Sequence, residues 1–268
     1  MSSRPRTGQW QTSSLILGVM LAASGSAAWG ADSHVAHSHL TGTWDRYPGP
    51  DGQLDPRYTA APAVPPPPLK PDEKAKWEAR QKAAHEADQR GQPLYSGYTQ
   101  CLPDGMPAMM MGMFPMEVLQ TPGQVTIIQE AYNQVRRIYL GEQQMPVEDA
   151  EPLFWGHSVG HWQGDTLVVN TVGIKENVRF RDVPHSDKMQ IDERIRLLSP
   201  DLFQDEITVT DPVYLTQPWT FKWMYKRNPG YKMLEYVCEA NREYRDPDTG
   251  GTRLKIGTPQ QGGAQSKP

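Results

Sequence analysis

The chain has 268 residues, of which 37% are hydrophobic and 22% charged, with a formal net charge of −4. This length supports one substantial hydrophobic core or two small ones. The sequence carries no basic patch of the kind that binds a phosphate backbone, which argues against nucleic acid as a partner.

Residues 1–30 have the pattern of a secretory signal peptide. Arg4 and Arg6 precede an apolar stretch over 15–28, and small residues lie just before Ala31. The stretch is too short and too weakly apolar for a convincing membrane span, although an uncleaved anchor is the alternative. We therefore expect a periplasmic or secreted protein without stable membrane insertion. Removing the two arginines takes the formal charge from −4 to −6.

A histidine- and proline-rich segment over 31–70 follows, with a short first strand predicted at 41–46. The helix predicted from Asp72 to Arg90 begins with Pro71 and two acidic residues and stops at Gly91. Its body is mostly polar, so it should lie on the surface, with His85 exposed. The main domain is assigned to 71–245, and the Gly-, Gln- and Thr-rich tail from Asp246 is expected to be disordered.

From residue 115 onward, short strands alternate with turn residues. The predicted strands lie near 115–119, 125–130, 134–140, 155–162, 166–172, 189–198, 203–211, 219–227 and 233–239. The two clearest strands flank a tight turn at 163–165, and the strand after the turn is rich in β-branched residues. Nine short strands with short links predict an all-β fold, an antiparallel meander closed as a lipocalin-like barrel or folded as a sandwich.

The strand over 219–227 alternates between aromatic and polar residues. One face carries Trp219, Phe221, Trp223 and Tyr225. Such a row turns toward the interior, where it either fills the core or lines an apolar ligand cavity. We take these four residues as candidate ligand-binding side chains.

The strand over 189–198 places Glu193 on its apolar face, between two isoleucines. Because an unpaired buried carboxylate costs several kcal/mol, Glu193 must be paired, protonated or facing a wet cavity. It is therefore either a functional carboxylate or half of a buried ion pair, with Arg137 as the natural partner. Asp211 shares the inward face of its strand and is a further ligand-binding candidate, or else caps the turn at Pro212.

His157 and His161 share one face of the strand that precedes the tight turn. Residues four apart on a strand are separated by about 13 Å, too far to bind one metal ion, so no metal site is assigned. His157, alone or with His185, remains a candidate acid or base.

The cysteine content bears on the cellular compartment. Cys101 and Cys238 are the only cysteines, and export to an oxidising compartment favours a disulfide over two buried thiols. Six methionines fall within eleven residues, and their thioethers could bind Cu(I), although methionines also pack irregular apolar space. Three histidines near the N-terminus could likewise bind copper, or could belong to a disordered tail. These residues are Met106, Met109, Met110, Met111, Met113 and Met116, with His34, His37 and His39.

Several motifs together resemble a large family of exported bacterial proteins. They are CLPDGMPAMM at 101–110, RRIYLGEQQMP at 136–146, GHSVGHWQGDTLVVNTVGI at 156–174, PHSDKMQIDERIRL at 184–197, DPVYLTQPWT at 211–220 and LEYVCEANRE at 234–243. The resemblance covers most of 70–243 and implies an exported β-rich protein, but no particular reaction. The family usually has arginine at the position of His161 and an acid at that of Asn170, which weakens an essential role for either.

Three functions follow from these features. The first is a periplasmic β-barrel that binds a small apolar or aromatic molecule. The second is a hydrolase, lyase or isomerase that uses Glu193 or a histidine as base, with an arginine stabilising negative charge. It would use no cofactor, because phosphate- and dinucleotide-binding motifs are absent from the sequence. The third is copper handling by the methionines and the N-terminal histidines.

Overall fold

A computed structural model describes residues 39–49, 51–91, 94, 101–112, 114–178 and 180–238, and the backbone of 243–245 and 252–254. The expected signal peptide, His34, His37, Met113 and most of the tail lie outside the described residues. The strands are β1 (Gly42–Tyr47), β2 (Met116–Thr121), β3 (Gln124–Gln129), β4 (Gln134–Leu140), β5 (His157–Gln163), β6 (Thr166–Val172), β7 (Gln190–Ser199), β8 (Leu202–Thr210), β9 (Trp219–Arg227), β10 (Glu243–Arg245) and β11 (Thr252–Leu254). The helices are α1 (Pro71–Gln89) and the short α2 (Ala108–Met111).

Strands β1 to β9 form a closed barrel in chain order, with β1 pairing β9. The predicted all-β barrel is therefore confirmed. The strand predicted over 233–239 is wrong, because residues 231–238 have no regular secondary structure. The early strand, β1, completes the ring instead. Residues 252–254, within the tail expected to be disordered, form β11 and pair with β10.

One pair of strands departs from the predicted antiparallel meander. β4 and β5 are parallel, whereas the other neighbours in the barrel are antiparallel. Strict alternation cannot close a ring with an odd number of strands, so a nine-stranded barrel needs at least one parallel pair. The connection over 141–156 is long enough to return the chain to the starting end of β4.

The connections differ between the two ends of the barrel. Tight turns at 122–123, 164–165 and 200–201 close one end. The segments over 48–115, 173–189 and 211–218 lie at the other, which we call the long-loop end. Ligand sites favour such ends, because loops on a rigid barrel are free to vary in shape.

Helix α1 confirms the predicted surface helix. It begins with Pro71 and has Asp72 and Glu73 in its first turn, where acidic side chains stabilise a helix. The Trp77 indole donates a hydrogen bond to the Arg181 backbone carbonyl, and His85 is exposed as expected. No helix in the described part of the chain has the length and apolar character needed to cross a bilayer.

The barrel interior at the long-loop end is filled by aromatic side chains. Trp219, Phe221 and Trp223 point inward, as predicted, and the Phe180 ring packs against all three at centroid distances of 5.3 to 5.4 Å. Tyr225 continues the row and stacks on Phe203. Phe180 therefore acts as a plug contributed by the loop between β6 and β7.

Candidate functional site

A buried ion pair crosses the middle of the barrel. The Arg136 guanidinium donates to both carboxylate oxygens of Glu193, and the side chains are 1% and 0% exposed. Arg136 also donates to the hydroxyls of Ser158 and Thr171. The expected pairing of Glu193 with Arg137 is wrong, because Arg136 faces the interior and Arg137 faces solvent.

A second carboxyl group lies beside this pair. Asp205 is fully buried on β8, and neither of its oxygens has a hydrogen-bond donor among the described residues. Burial, reinforced by the Glu193 charge, raises the pKa of Asp205 well above its ordinary value. A proton on Asp205 supplies the missing donor, since it allows the carboxyl to hydrogen-bond to Glu193. Burial likewise raises the pKa of Tyr225.

These groups are sealed inside the barrel. Two acids sharing a proton and one cation satisfy each other electrostatically, as buried charges must. Because the side chains of Arg136, Glu193 and Asp205 are 0 to 1% exposed, this cluster offers no path for a substrate. Its arrangement is that of a structural polar layer within an otherwise apolar core.

The predicted histidines do not join this cluster. His157 lies on the outer face of β5, where its ring stacks on Tyr139 at 5.6 Å. His185 is buried in the loop before β7, and its ring nitrogens contact the backbone carbonyls of Ser186 and Val178 at 3.1 and 2.8 Å. The structure therefore does not bring His157, His185 and Glu193 into one site.

Asp211 has the capping role that the sequence left open. Its carboxylate accepts hydrogen bonds from the Val213 and Tyr214 backbone N–H groups in the turn after β8. It also accepts bonds from the backbone N–H and hydroxyl of Ser186. Asp211 thus ties two connections together at the long-loop end.

The aromatic row lines little open space. Trp219, Phe221, Trp223 and Tyr225 are 0 to 3% exposed and belong to the main core. The cavity beside Trp219, which Asp211 and His185 also line, measures about 20 Å³. Since one water molecule needs roughly 10 to 15 Å³ by this measure, the cavity holds no organic ligand. The row is core rather than the expected ligand-binding wall.

The methionine run also packs into the core. Met106, Met109, Met110 and Met116 are 0 to 1% exposed, within the cluster that fills the barrel. No group of three or more His, Cys, Asp or Glu side chains that could hold a metal ion occurs among the residues with described positions. The methionines therefore occupy the positions expected for apolar packing.

A larger space, which we call the mouth groove, opens at the long-loop end. Its volume is about 610 Å³, and its lining includes Arg46, Asp104, Met111, Phe114, Tyr132 and Tyr236. Small-molecule pockets usually measure about 300 to 1,000 Å³ and combine apolar walls with a few polar groups. The mouth groove meets both conditions.

Aromatic rings form one side of the mouth groove. The Tyr236 ring contacts Phe114 edge-on at 5.6 Å and Tyr132 at 5.0 Å. Tyr132 and Asn133 have φ angles of 58° and 49°, a left-handed conformation that is rare outside glycine and is often found at functional sites. The Asn133 side chain donates to the Tyr236 backbone carbonyl at 2.7 Å, so this turn fixes the aromatic wall.

The C-terminal segment that carries Tyr236 is fastened at two points. The predicted disulfide is confirmed, and it joins Cys238 to Cys101, which lies in the connection between β1 and β2. Nearer the barrel, the Glu130 carboxylate accepts hydrogen bonds from the Tyr231 hydroxyl and the Leu234 N–H at 2.6 and 2.7 Å. The bond to Glu130 raises the pKa of Tyr231 to about 12.

Two residues with ionisable side chains also line the mouth groove. The Arg46 guanidinium lies over the Trp223 ring at 5.3 Å and donates to the Met111 carbonyl at 2.7 Å. The Asp104 carboxyl accepts a hydrogen bond from the Gln134 amide at 2.9 Å, and burial raises its pKa. Neither residue was identified as a site residue from the sequence, although Arg46 ends the predicted first strand and Asp104 lies in the CLPDGMPAMM motif.

Comparison with protein-family models and with curated proteins found no match to this chain. The function is therefore argued from the geometry of the mouth groove.

Proposed function

We propose that the protein is an exported β-barrel that binds a small, ring-containing molecule in the mouth groove. The observation that carries this proposal is the groove itself, about 610 Å³ in volume, whose lining combines aromatic rings with Arg46 and Asp104. The proposal keeps the ligand class suggested by the sequence, apolar or aromatic, but moves the site from the barrel interior to its mouth.

The rigidity of the groove supports binding. A barrel, a disulfide and a turn with left-handed residues hold its walls, so little conformational entropy is lost when a ligand enters. Export is supported by the disulfide, which persists in oxidising compartments, and by the signal-peptide pattern of residues 1–30.

Matched substitutions test this site. Phe114 and Leu153 are each 41% exposed, but only Phe114 belongs to the groove lining. The protein purified from its own host should carry a small ring-containing molecule, detected by native mass spectrometry and released on denaturation. Phe114→Ala should lower its occupancy and Leu153→Ala should not. Equal occupancy in both variants, or no bound molecule together with no binding of aromatic probes by the purified protein, would overturn the proposal.

A further inference from the structure

Arg46 is a partly buried cation without an acidic partner in the described part of the chain. It lies on the inner face of β1, and among the described residues it makes one hydrogen bond, to the Met111 carbonyl at 2.7 Å, and one ring contact, to Trp223. The ion pairs formed by described residues do not include it. Buried charges in folded proteins are ordinarily paired.

The contrast with Arg136 shows what Arg46 lacks. Arg136, another inward-facing arginine, donates to a carboxylate and two hydroxyls. A guanidinium has five N–H donors, arranged to bind a carboxylate through two parallel hydrogen bonds. The bond to Met111 uses one donor of Arg46, and no other described residue accepts from its side chain, so the remaining donors can bind a partner that enters the groove.

The acidic residues beside Arg46 on β1 and in the groove lining do not fill this role. Asp45 lies on the opposite face of β1, where its carboxylate accepts a hydrogen bond from the Asn228 amide at 2.8 Å. Asp104, which also lines the groove, accepts its hydrogen bond from the Gln134 amide, and burial raises its pKa. Neither acid forms an ion pair with Arg46, so an anion that enters the groove can bind the guanidinium.

We infer that the ligand of the mouth groove is a small aromatic carboxylate whose carboxylate group is bound by Arg46. The ring packs against Phe114 and Tyr236 of the groove lining, and the guanidinium of Arg46, which lines the same groove, donates to the carboxylate. This inference rests on the proposed function and adds the charge and chemical class of the ligand. Arg46 is then the residue that determines specificity.

Three probes of similar size separate the contributions of ring and charge: benzoate, its neutral isostere benzamide, and the cation benzylamine. Binding is measured on the intact, oxidised protein by ligand-observed NMR or calorimetry. A charge-assisted hydrogen bond contributes about 1.5 to 3 kcal/mol, so benzoate should bind at least about tenfold more tightly than benzamide. Benzylamine should bind most weakly.

Arg46→Gln should remove the preference for benzoate while leaving benzamide affinity within about twofold of the wild-type value. Arg137→Gln, which removes the same charge from the outer face of β4, should keep the preference. Arg46→Lys, which keeps the charge but loses the paired donors, should retain only part of it. The comparison of the three probes on unaltered protein stands even if Arg46→Gln fails to fold.

The outcomes distinguish the inference from the proposed function. Wild-type protein that binds benzamide as tightly as benzoate overturns the role of Arg46 but leaves ring binding in the groove intact. Protein that prefers benzoate, yet keeps this preference in Arg46→Gln, also overturns it. If no probe binds, both proposals fail.

Discussion

Replacing Asp205 with asparagine tests the shared proton in the barrel interior. Burial and the Glu193 charge raise the pKa of Asp205 in the folded protein, whereas in the unfolded chain this carboxyl has its ordinary pKa of 3.8. Between these two pKa values, the carboxyl is protonated in the folded state and ionised in the unfolded state. The folded state therefore binds one more proton than the unfolded state, and the free energy of unfolding falls as pH rises above about 4.

The expected size of this effect follows from linkage. One extra proton in the folded state lowers the free energy of unfolding by about 1.4 kcal/mol for each pH unit, until the pH passes the folded-state pKa. Below the unfolded-state pKa the penalty disappears, because both states are protonated. An asparagine amide at this position is neutral in both states and still offers a donor to Glu193. Asp205→Asn should therefore remove this dependence and stabilise the protein progressively as pH rises.

Urea denaturation between pH 4 and pH 8 measures the difference. The free energy of unfolding of Asp205→Asn relative to wild type should rise with pH, whereas Asp88→Asn, an exposed change on α1, should not show this rise. A constant difference between Asp205→Asn and wild type across the range would refute the shared proton.

Three further changes test the packing and the groove. Arg136→Met leaves the buried acids without their cation and should cost about 3 to 5 kcal/mol, whereas the exposed change Arg137→Met should cost less than about 0.5 kcal/mol; both are measured by urea denaturation. Phe180→Ala removes the plug and should lower stability by about 3 to 5 kcal/mol, and a loss below about 1 kcal/mol would contradict its role in the core. The disulfide spans 137 residues, so replacing Cys101 and Cys238 with serine should cost up to about 5 kcal/mol. The same double variant should weaken ring binding in the groove, and unchanged affinity in its folded fraction would argue against an anchored wall.

Alternation along the strands predicted much of the barrel, because a strand with one apolar face reveals which side chains point inward. β7 and β9 show this, and Glu193 and Trp223 point inward as expected. The same pattern on β8 indicates that Asp205 is buried beside Ile207, so the second acid was available from the sequence but was missed. On β4, two arginines are consecutive, Arg136 and Arg137, so one lies on each face of the strand. The pattern alone therefore could not identify which of them pairs with Glu193.

The parallel pair and the mouth groove could not be predicted in this way. The parallel pair follows from ring closure with β1 included, which depends on contacts between strands far apart in sequence. The groove combines residues such as Arg46, Asp104 and Tyr236 from connections and strand ends. These segments have no hydrophobic period, and long-range contacts that include the disulfide set their positions.

Binding in the mouth groove is tested most directly by following backbone amide signals in an NMR titration of the oxidised protein with benzoate. Gly112 and Ala131 line the groove, whereas Gly164 lies in a tight turn at the opposite end of the barrel. The proposal predicts saturable shifts at Gly112 and Ala131, with Gly164 unchanged. Shifts confined to other parts of the barrel, or no saturable shift with any ring-containing probe, would contradict it.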